Sequence, residues 1–216
     1  MRPAPHRTVP ANPHPVLTLS LPTPVGRVHL AASDKGVVRI ELPGANAEMR
    51  LNVWVALHFP NASIRCGVSP ILKKATSELG AYFTAGLKSF SVPLHLVGTD
   101  FQVDVWQQVE RIPFGETCSY GDIASGMDNP KATRAVGAAQ GANPVPIIIP
   151  CHRVIGADGG LTGYGGGLGV KQWLLDHEAG LDARRAPQPT RSLHLLPAVN
   201  RPRRPPSAPR RLHPRH

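Results

Sequence analysis

The stretch that most constrains this chain is Pro150-Cys151-His152-Arg153-Val154, reached through Asn143-Pro144-Val145-Pro146-Ile147-Ile148-Ile149. An apolar run bounded by prolines delivers one cysteine with histidine and arginine as its next two residues. A cysteine that only packs as a small hydrophobe usually has apolar neighbours. Here the thiol has a base beside it, and positive surroundings lower a thiol's pKa and raise its thiolate fraction. The segment therefore reads as a nucleophile, with Cys151 as the reacting atom's carrier and His152 as its base.

The rest of the composition narrows the setting. A chain of 216 residues holds one large domain or two small ones with a proper core. The three cysteines, Cys66, Cys118 and Cys151, are odd in number and widely spaced. That excludes a disulfide framework and a paired-cysteine metal site, and favours a reducing compartment. None of His6, His14, His29 and His58 has ligand spacing, so no metal is expected. Met1 to Pro15 is rich in proline and histidine and lacks the apolar region of a secretory signal. No apolar run approaches membrane-spanning length. The net charge of +10 is misleading: nine of the 24 basic residues lie in 184–216, which contains no acid. The remaining 15 face all 14 acids of the chain, so the body is nearly neutral. Any nucleic-acid contact by the body must come from local placement.

Along the chain, Leu17, Leu19 and Leu21, then Val28, Leu30 and Ala32, then Val37, Val38, Ile40 and Leu42 after the Asp34-Lys35-Gly36 turn predict an antiparallel meander. Ala47 to His58 is expected to be helical, with Leu51, Val55 and His58 on one face, and Ser63 to Cys66 a short strand. Ser69-Pro70 starts a second helix that Gly86 stops. Phe90, Val92, Leu94 and Leu96 alternate and predict an edge strand around Pro93. Thr99 and Gln102 form a capping box for a helix ending before Pro113 and Gly115. Gly115 to Ser119 reads as a turn. Tyr120 to Met127 and Lys131 to Gln140 read as two short helices about a tight turn, the helix-turn-helix plan. A glycine-rich loop follows Cys151, and Val170 to Ala179 is the last helix. The fold class is α+β. The divisions are a disordered 1–15, a mixed N-terminal α+β domain with an antiparallel sheet over 16–97, a mainly helical domain with a winged or helix-turn-helix unit over 98–183, and a disordered arginine- and proline-rich tail over 184–216.

Five motifs stand in register: Gly115-Glu116-Thr117-x-Ser119-Tyr120-Gly121; Asn129-Pro130-x-Ala132-x-Arg134-Ala135-Val136-Gly137; Asn143-Pro144; Pro150-Cys151-His152-Arg153-Val154; and Gly163-Tyr164-Gly165-Gly166-Gly167-Leu168. In order and spacing they resemble the O6-alkylguanine-DNA alkyltransferases, densely from about residue 99 to 180. The resemblance implies that Cys151 takes the alkyl group from guanine O6 as an irreversible thioether. His152 would accept the thiol proton through a water, and Glu178 would orient that histidine. Glu178 near a helix C-terminus is poorly placed for the helix dipole, which agrees with a functional reason for it. Asn143 would fix the turn presenting Cys151, and Tyr120 would donate to guanine N3.

The resemblance also implies double-stranded DNA as partner, approached from the minor groove with the damaged base flipped out. Arg134 would fill the vacated stack, while Ala132 and Ala135 let the helix lie close to the backbone. The Gly165 amide would donate to O6. Carbonyls of Cys151 and Val154 would accept from the exocyclic amine. Tyr164 and Pro146 would wall the alkyl pocket. Lys131, Arg153 and Lys171 join Arg134 as a phosphate-facing patch. Relatives often carry serine where Gly165 stands. No cofactor, no metal, no membrane and no obligate protein partner is implied. The expectation is a monomer in the cytoplasm, bound to the nucleoid when on DNA, or in the nucleus of a eukaryotic cell. The arginine- and proline-rich tail lies outside the resemblance: it either adds salt-sensitive, sequence-independent affinity for DNA or is a dispensable low-complexity extension. Two other readings are an alkyltransferase-like protein that flips damaged bases without repairing them, against which Cys151 argues because such relatives lack the reactive cysteine, and a Cys-His-Glu hydrolase, which would need an oxyanion hole and would turn over repeatedly.

Overall fold

The structure is a computed structural model and describes residues 15–181. The two terminal segments expected to be disordered lie essentially outside these residues. What is described is α+β.

Strands β1 (Val16–Thr23), β2 (Gly26–Ala32) and β3 (Val37–Glu41) form the expected antiparallel meander, with Leu19 opposite Leu30 and Leu30 opposite Ile40. Helix α1 (Ala47–His58) follows, then β4 (Ile64–Cys66), which pairs parallel with β1. The sheet order is β3-β2-β1-β4. Both faces are covered, which is why β2 reads as a nearly continuous apolar run. On one face, Val16, Ala31 and Val38 pack on Leu51 and Val55 of α1. On the other, Val28, Leu30 and Ile40 join Leu72 and Leu79 of α2 (Pro70–Ala85). His58 departs from the expected face: it is exposed and stacks on Trp54 at 3.9 Å.

Helix α2 begins as its sequence requires. The Ser69 side chain accepts from the Leu72 amide at 3.2 Å, Pro70 occupies the first turn, and Gly86 closes the helix at φ 65°. The expected edge strand over 90–96 is not formed. Only Leu94 bridges β3, through Val37 N–H to Pro93 O and His95 N–H to Val37 O, both 2.9 Å. Pro93 has no N–H to extend a ladder, and the Glu78 carboxylate takes the Ser91 and Val92 amides at 2.9 and 3.0 Å.

Helix α3 (Asp100–Glu110) carries the expected Thr99/Gln102 capping box. Trp106 on α3 donates to the Ala139 carbonyl at 2.8 Å and lies so close to Gly98 that a Cβ there would meet its ring at 2.6 Å. The stretch expected to be only a turn ends in a two-residue strand, β5 (Cys118–Ser119), parallel to β6 (Val154–Ile155). Sequence periodicity cannot reveal so short a non-local pairing. Helices α4 (Tyr120–Gly126) and α5 (Thr133–Gly141) form the expected pair, joined through a single 3-10 turn at Pro130–Ala132. Helix α6 (Leu168–Glu178) closes the described chain. One buried cluster runs from Leu30 and Tyr82 through Trp106 and Ile149 to Leu174, so residues on both sides of Gly98 share a core. No helix among the described residues is long and apolar enough to cross a membrane.

Candidate active site

The site is built on a bend that a buried asparagine holds. Asn143 donates from Nδ2 to the Ile149 carbonyl at 2.9 Å and accepts the Val145 amide on Oδ1 at 3.0 Å. Ile149 N–H closes the bend on Val145 O at 2.9 Å. Inside it Ile147 sits at φ 76°, a conformation β-branched residues avoid, at a cost of about 1–3 kcal/mol. The surrounding apolar core holds it there, since Ile147 is fully buried. The chain leaves the bend into one turn of 3-10 helix, Cys151–Arg153, then β6.

That single turn sends three consecutive side chains to different places. Cys151 is partly exposed and lines a cleft of about 570 Å³. Tyr120, Arg134, Gln140, Tyr164 and Gly165 line the same cleft. His152 is completely buried, with Nε2 2.7 Å from Glu178 Oε1. Arg153 is also buried, and its Nε and Nη2 donate to Glu178 at 2.8 and 2.9 Å, with Nη1 on the Ile112 carbonyl at 2.5 Å. The Glu178 carboxylate further accepts from the Tyr82 hydroxyl at 2.7 Å and the Gly115 amide at 3.1 Å.

The charges follow from this geometry. Burial alone would raise Glu178, but hydrogen bonds from His152 and Arg153 and the Arg153 charge outweigh it and hold the carboxyl well below the usual carboxylate range. An ionised carboxylate only accepts, so His152 must carry its proton on Nε2. Nδ1 then bears a free lone pair, and it has no partner among the described residues. Burial also lowers the His152 pKa, against the pull of Glu178, which keeps the ring neutral. Burial pushes the Cys151 thiol up to about 11, with Asn143 and Lys171 drawing it partway back.

This corrects the expectation of a thiol pKa lowered by its sequence neighbours. His152 is neutral, and the Arg153 charge is engaged by Glu178. The thiol is protonated at rest and has a neutral base next to it in sequence, an arrangement able to make thiolate on demand rather than store it.

Arg153 and Lys171 are corrected as phosphate contacts. Lys171 is fully buried, with Nζ on the carbonyls of Val154 at 2.6 Å and Thr162 at 2.9 Å. Burial brings its pKa down to about 8, partly countered by Cys151. It fastens β6 to the glycine-rich loop that carries Tyr164. Val154 is buried and its carbonyl already accepts from Lys171, leaving one lone pair. Pro146 is buried and is not among the residues that line the open cleft.

Lys131, Arg134 and Ala135 are exposed on the α5 side of the cleft, and Ala132 is half-buried. The Tyr120 hydroxyl accepts from Thr162 at 3.0 Å. Tyr164 lines the cleft with its hydroxyl unpartnered among the described residues, and burial followed by the nearby Cys151 charge raises its pKa. Sequence reasoning missed Tyr82, whose place in an apolar stripe hides its hydroxyl. It also misdirected Lys171, although Lys171, Leu174 and Glu178 share one helix face at spacings of three and four, a charged stripe aligned with an apolar one.

A Cβ at Gly165 would meet nothing within 4 Å. Gly165→Ser is therefore expected to change stability by less than about 0.5 kcal/mol and to leave the cleft's reactivity intact, as thermal melting and a reaction rate would report.

Comparison with known proteins gives the family. The family model described as 6-O-methylguanine DNA methyltransferase, DNA binding domain, matches residues 100–180. The methylated-DNA–protein-cysteine methyltransferase of Methanosarcina acetivorans is 41% identical over 157 residues, 72% of this chain and 94% of the relative. That of Mycobacterium bovis is 55% identical over 113 residues, 52% of this chain and 66% of the relative. The crystal structure of Mycobacterium tuberculosis OGT in complex with DNA is 38% identical, with a TM-score of 0.63 over 76% of this chain and 94% of that one. By sequence and fold, this chain belongs to the methylated-DNA–protein-cysteine methyltransferase family.

Proposed function

We propose that this protein repairs DNA by flipping out O6-alkylguanine and moving the alkyl group irreversibly onto Cys151, once per molecule. The observation that carries the reading is a cleft-lining thiol whose sequence neighbour is a buried, neutral imidazole held by an ionised Glu178. His152 Nδ1 takes the thiol proton through one bridging water. Sγ attacks the alkyl carbon, the Sγ–C bond forms as the C–O6 bond breaks, and the purine departs as an anion. The proton on His152 balances that charge within the cleft. Tyr120 donates to guanine N3 and the Gly165 amide to O6, stabilising the anion. A thioether has no carbonyl for water to attack, so the thiol is not regenerated.

In this reading α4 and α5 act as a helix-turn-helix unit on the minor groove, with Arg134 taking the place of the everted base. Its exposure at the cleft edge supports that role. Ala132 and Ala135 allow close approach, and Lys131 meets phosphate. Residues 98–183 form the DNA-binding catalytic domain and 16–97 its support. The protein acts as a monomer in the cytoplasm, where bacterial DNA lies.

The test is to add a duplex containing O6-methylguanine and digest the protein. The Cys151 peptide is expected to gain one methyl group, with about one equivalent taken up however large the DNA excess. Binding without mass gain would identify a protein that only recognises the lesion. Repeated turnover on an amide would identify a hydrolase.

A further inference from the structure

Gln140 on α5 is the feature the proposed reaction leaves unused. It lines the same cleft as Cys151 and Tyr164, yet is only 8% exposed. Both its amide oxygen and its amide nitrogen are shielded from solvent and have no partner among the described residues. An unmade hydrogen bond to a buried polar group costs about 1–3 kcal/mol, and native structures keep such groups rarely. A methionine or leucine would fill the volume without that cost. The open space that Gln140 borders is the cleft, and a turn of its side chain would bring the shielded amide to a group that a ligand places there.

We propose that Gln140 is a specificity-determining residue that favours O6 adducts ending in a neutral hydrogen-bonding group, such as 2-hydroxyethyl, over plain alkyl groups. This rests on the alkyl-transfer reading above. The primary amide offers one donor face and one acceptor, and a hydroxyl matches both. A carboxylate terminus does not fit as well: Arg153 is engaged by Glu178 and Lys171 by two backbone carbonyls, and Arg134, the exposed cation on the cleft, is assigned above to the vacated base stack. A site built to hydrogen-bond a hydroxyl discriminates strongly against an analogue that lacks it, because its own polar group is then left unpaired.

The experiment measures second-order transfer rates to Cys151 from duplexes carrying O6-(2-hydroxyethyl)guanine and O6-methylguanine, in the wild type, Gln140→Met, Tyr164→Phe and Gln108→Met. The readout is the ratio of the two rates, in which any loss of folded protein cancels. Gln140→Met is expected to lower the hydroxyethyl-to-methyl ratio between about three- and tenfold, the worth of one hydrogen bond. Gln108 is buried on α3 with its own unpartnered Oε1 but does not line the cleft, so Gln108→Met should leave the ratio unchanged. An unchanged ratio in Gln140→Met overturns the inference, as does a ratio that moves only in Tyr164→Phe. Methyl transfer by the wild type reports separately on the reaction itself.

Discussion

Glu178→Gln is expected to destabilise the protein by about 3–5 kcal/mol and to slow alkyl uptake by at least about a hundredfold. One carboxylate holds together four segments that are distant in sequence: Tyr82 on α2, Gly115 in the loop after α3, and His152 and Arg153 beside the thiol, with Glu178 itself on α6. The amide keeps the shape but removes the charge, so the Arg153 guanidinium is left buried without its counter-ion. Removing one partner of a buried pair costs far more than the pair's net worth. The uptake falls for a different reason. An amide can donate to His152 Nε2, which permits the tautomer with the proton on Nδ1 and blocks the lone pair the thiol needs.

The pH dependence separates the two states. The Glu178 carboxyl is held below its ordinary value in the folded protein. Its contribution is therefore complete above the unfolded carboxylate pKa of about 4.3 and is lost as pH falls from there toward the folded value. Urea unfolding midpoints should fall on acidification in the wild type. In Glu178→Gln that part of the acid slope should be missing.

What the sequence made legible was local. Caps and turns were readable at Ser69, Gly86 and the Thr99/Gln102 box because each is a contact within five residues. The meander was readable because Leu19, Leu30 and Ile40 alternate with the pleat. The expected strand at 90–96 failed where a distant carboxylate, Glu78, took the amides that a ladder needs. Arg153 failed in the same way. Next to Cys151 in sequence it read as a free cation, but a 3-10 turn points it at a carboxylate 25 residues on. The nucleophile's surroundings were thus identified by residue type and misjudged by direction. The shift of the thiol pKa reversed as a consequence, since burial acts on Cys151 while His152 is neutral and the Arg153 charge is neutralised by Glu178. Motif spacing carries no information on which way a side chain faces once the backbone tightens from strand to turn.

His152→Gln tests that corrected view of the thiol most sharply. With a pKa pushed up to about 11, about one Cys151 in 10⁴ is thiolate at neutral pH without help. In the proposed reaction the neutral His152 ring removes that limitation by taking the thiol proton. Its own pKa is lowered, so the base form persists to pH values below the ordinary histidine range. The wild-type transfer rate is therefore expected to be nearly flat from about pH 7 to pH 9, where the relay is intact at every point. Glutamine can still donate to Glu178 but has no basic nitrogen. In His152→Gln the rate at pH 7 should fall by about 10²–10⁴ and then climb close to tenfold per pH unit, because only pre-formed thiolate can react. Single-turnover methyl uptake across that range measures both slopes on the same duplex. A variant as flat as the wild type would mean that His152 moves no proton and acts only by filling the buried space between Cys151 and Glu178. A wild-type rate that itself rose tenfold per unit would mean that the thiolate, not the relay, is the reacting state.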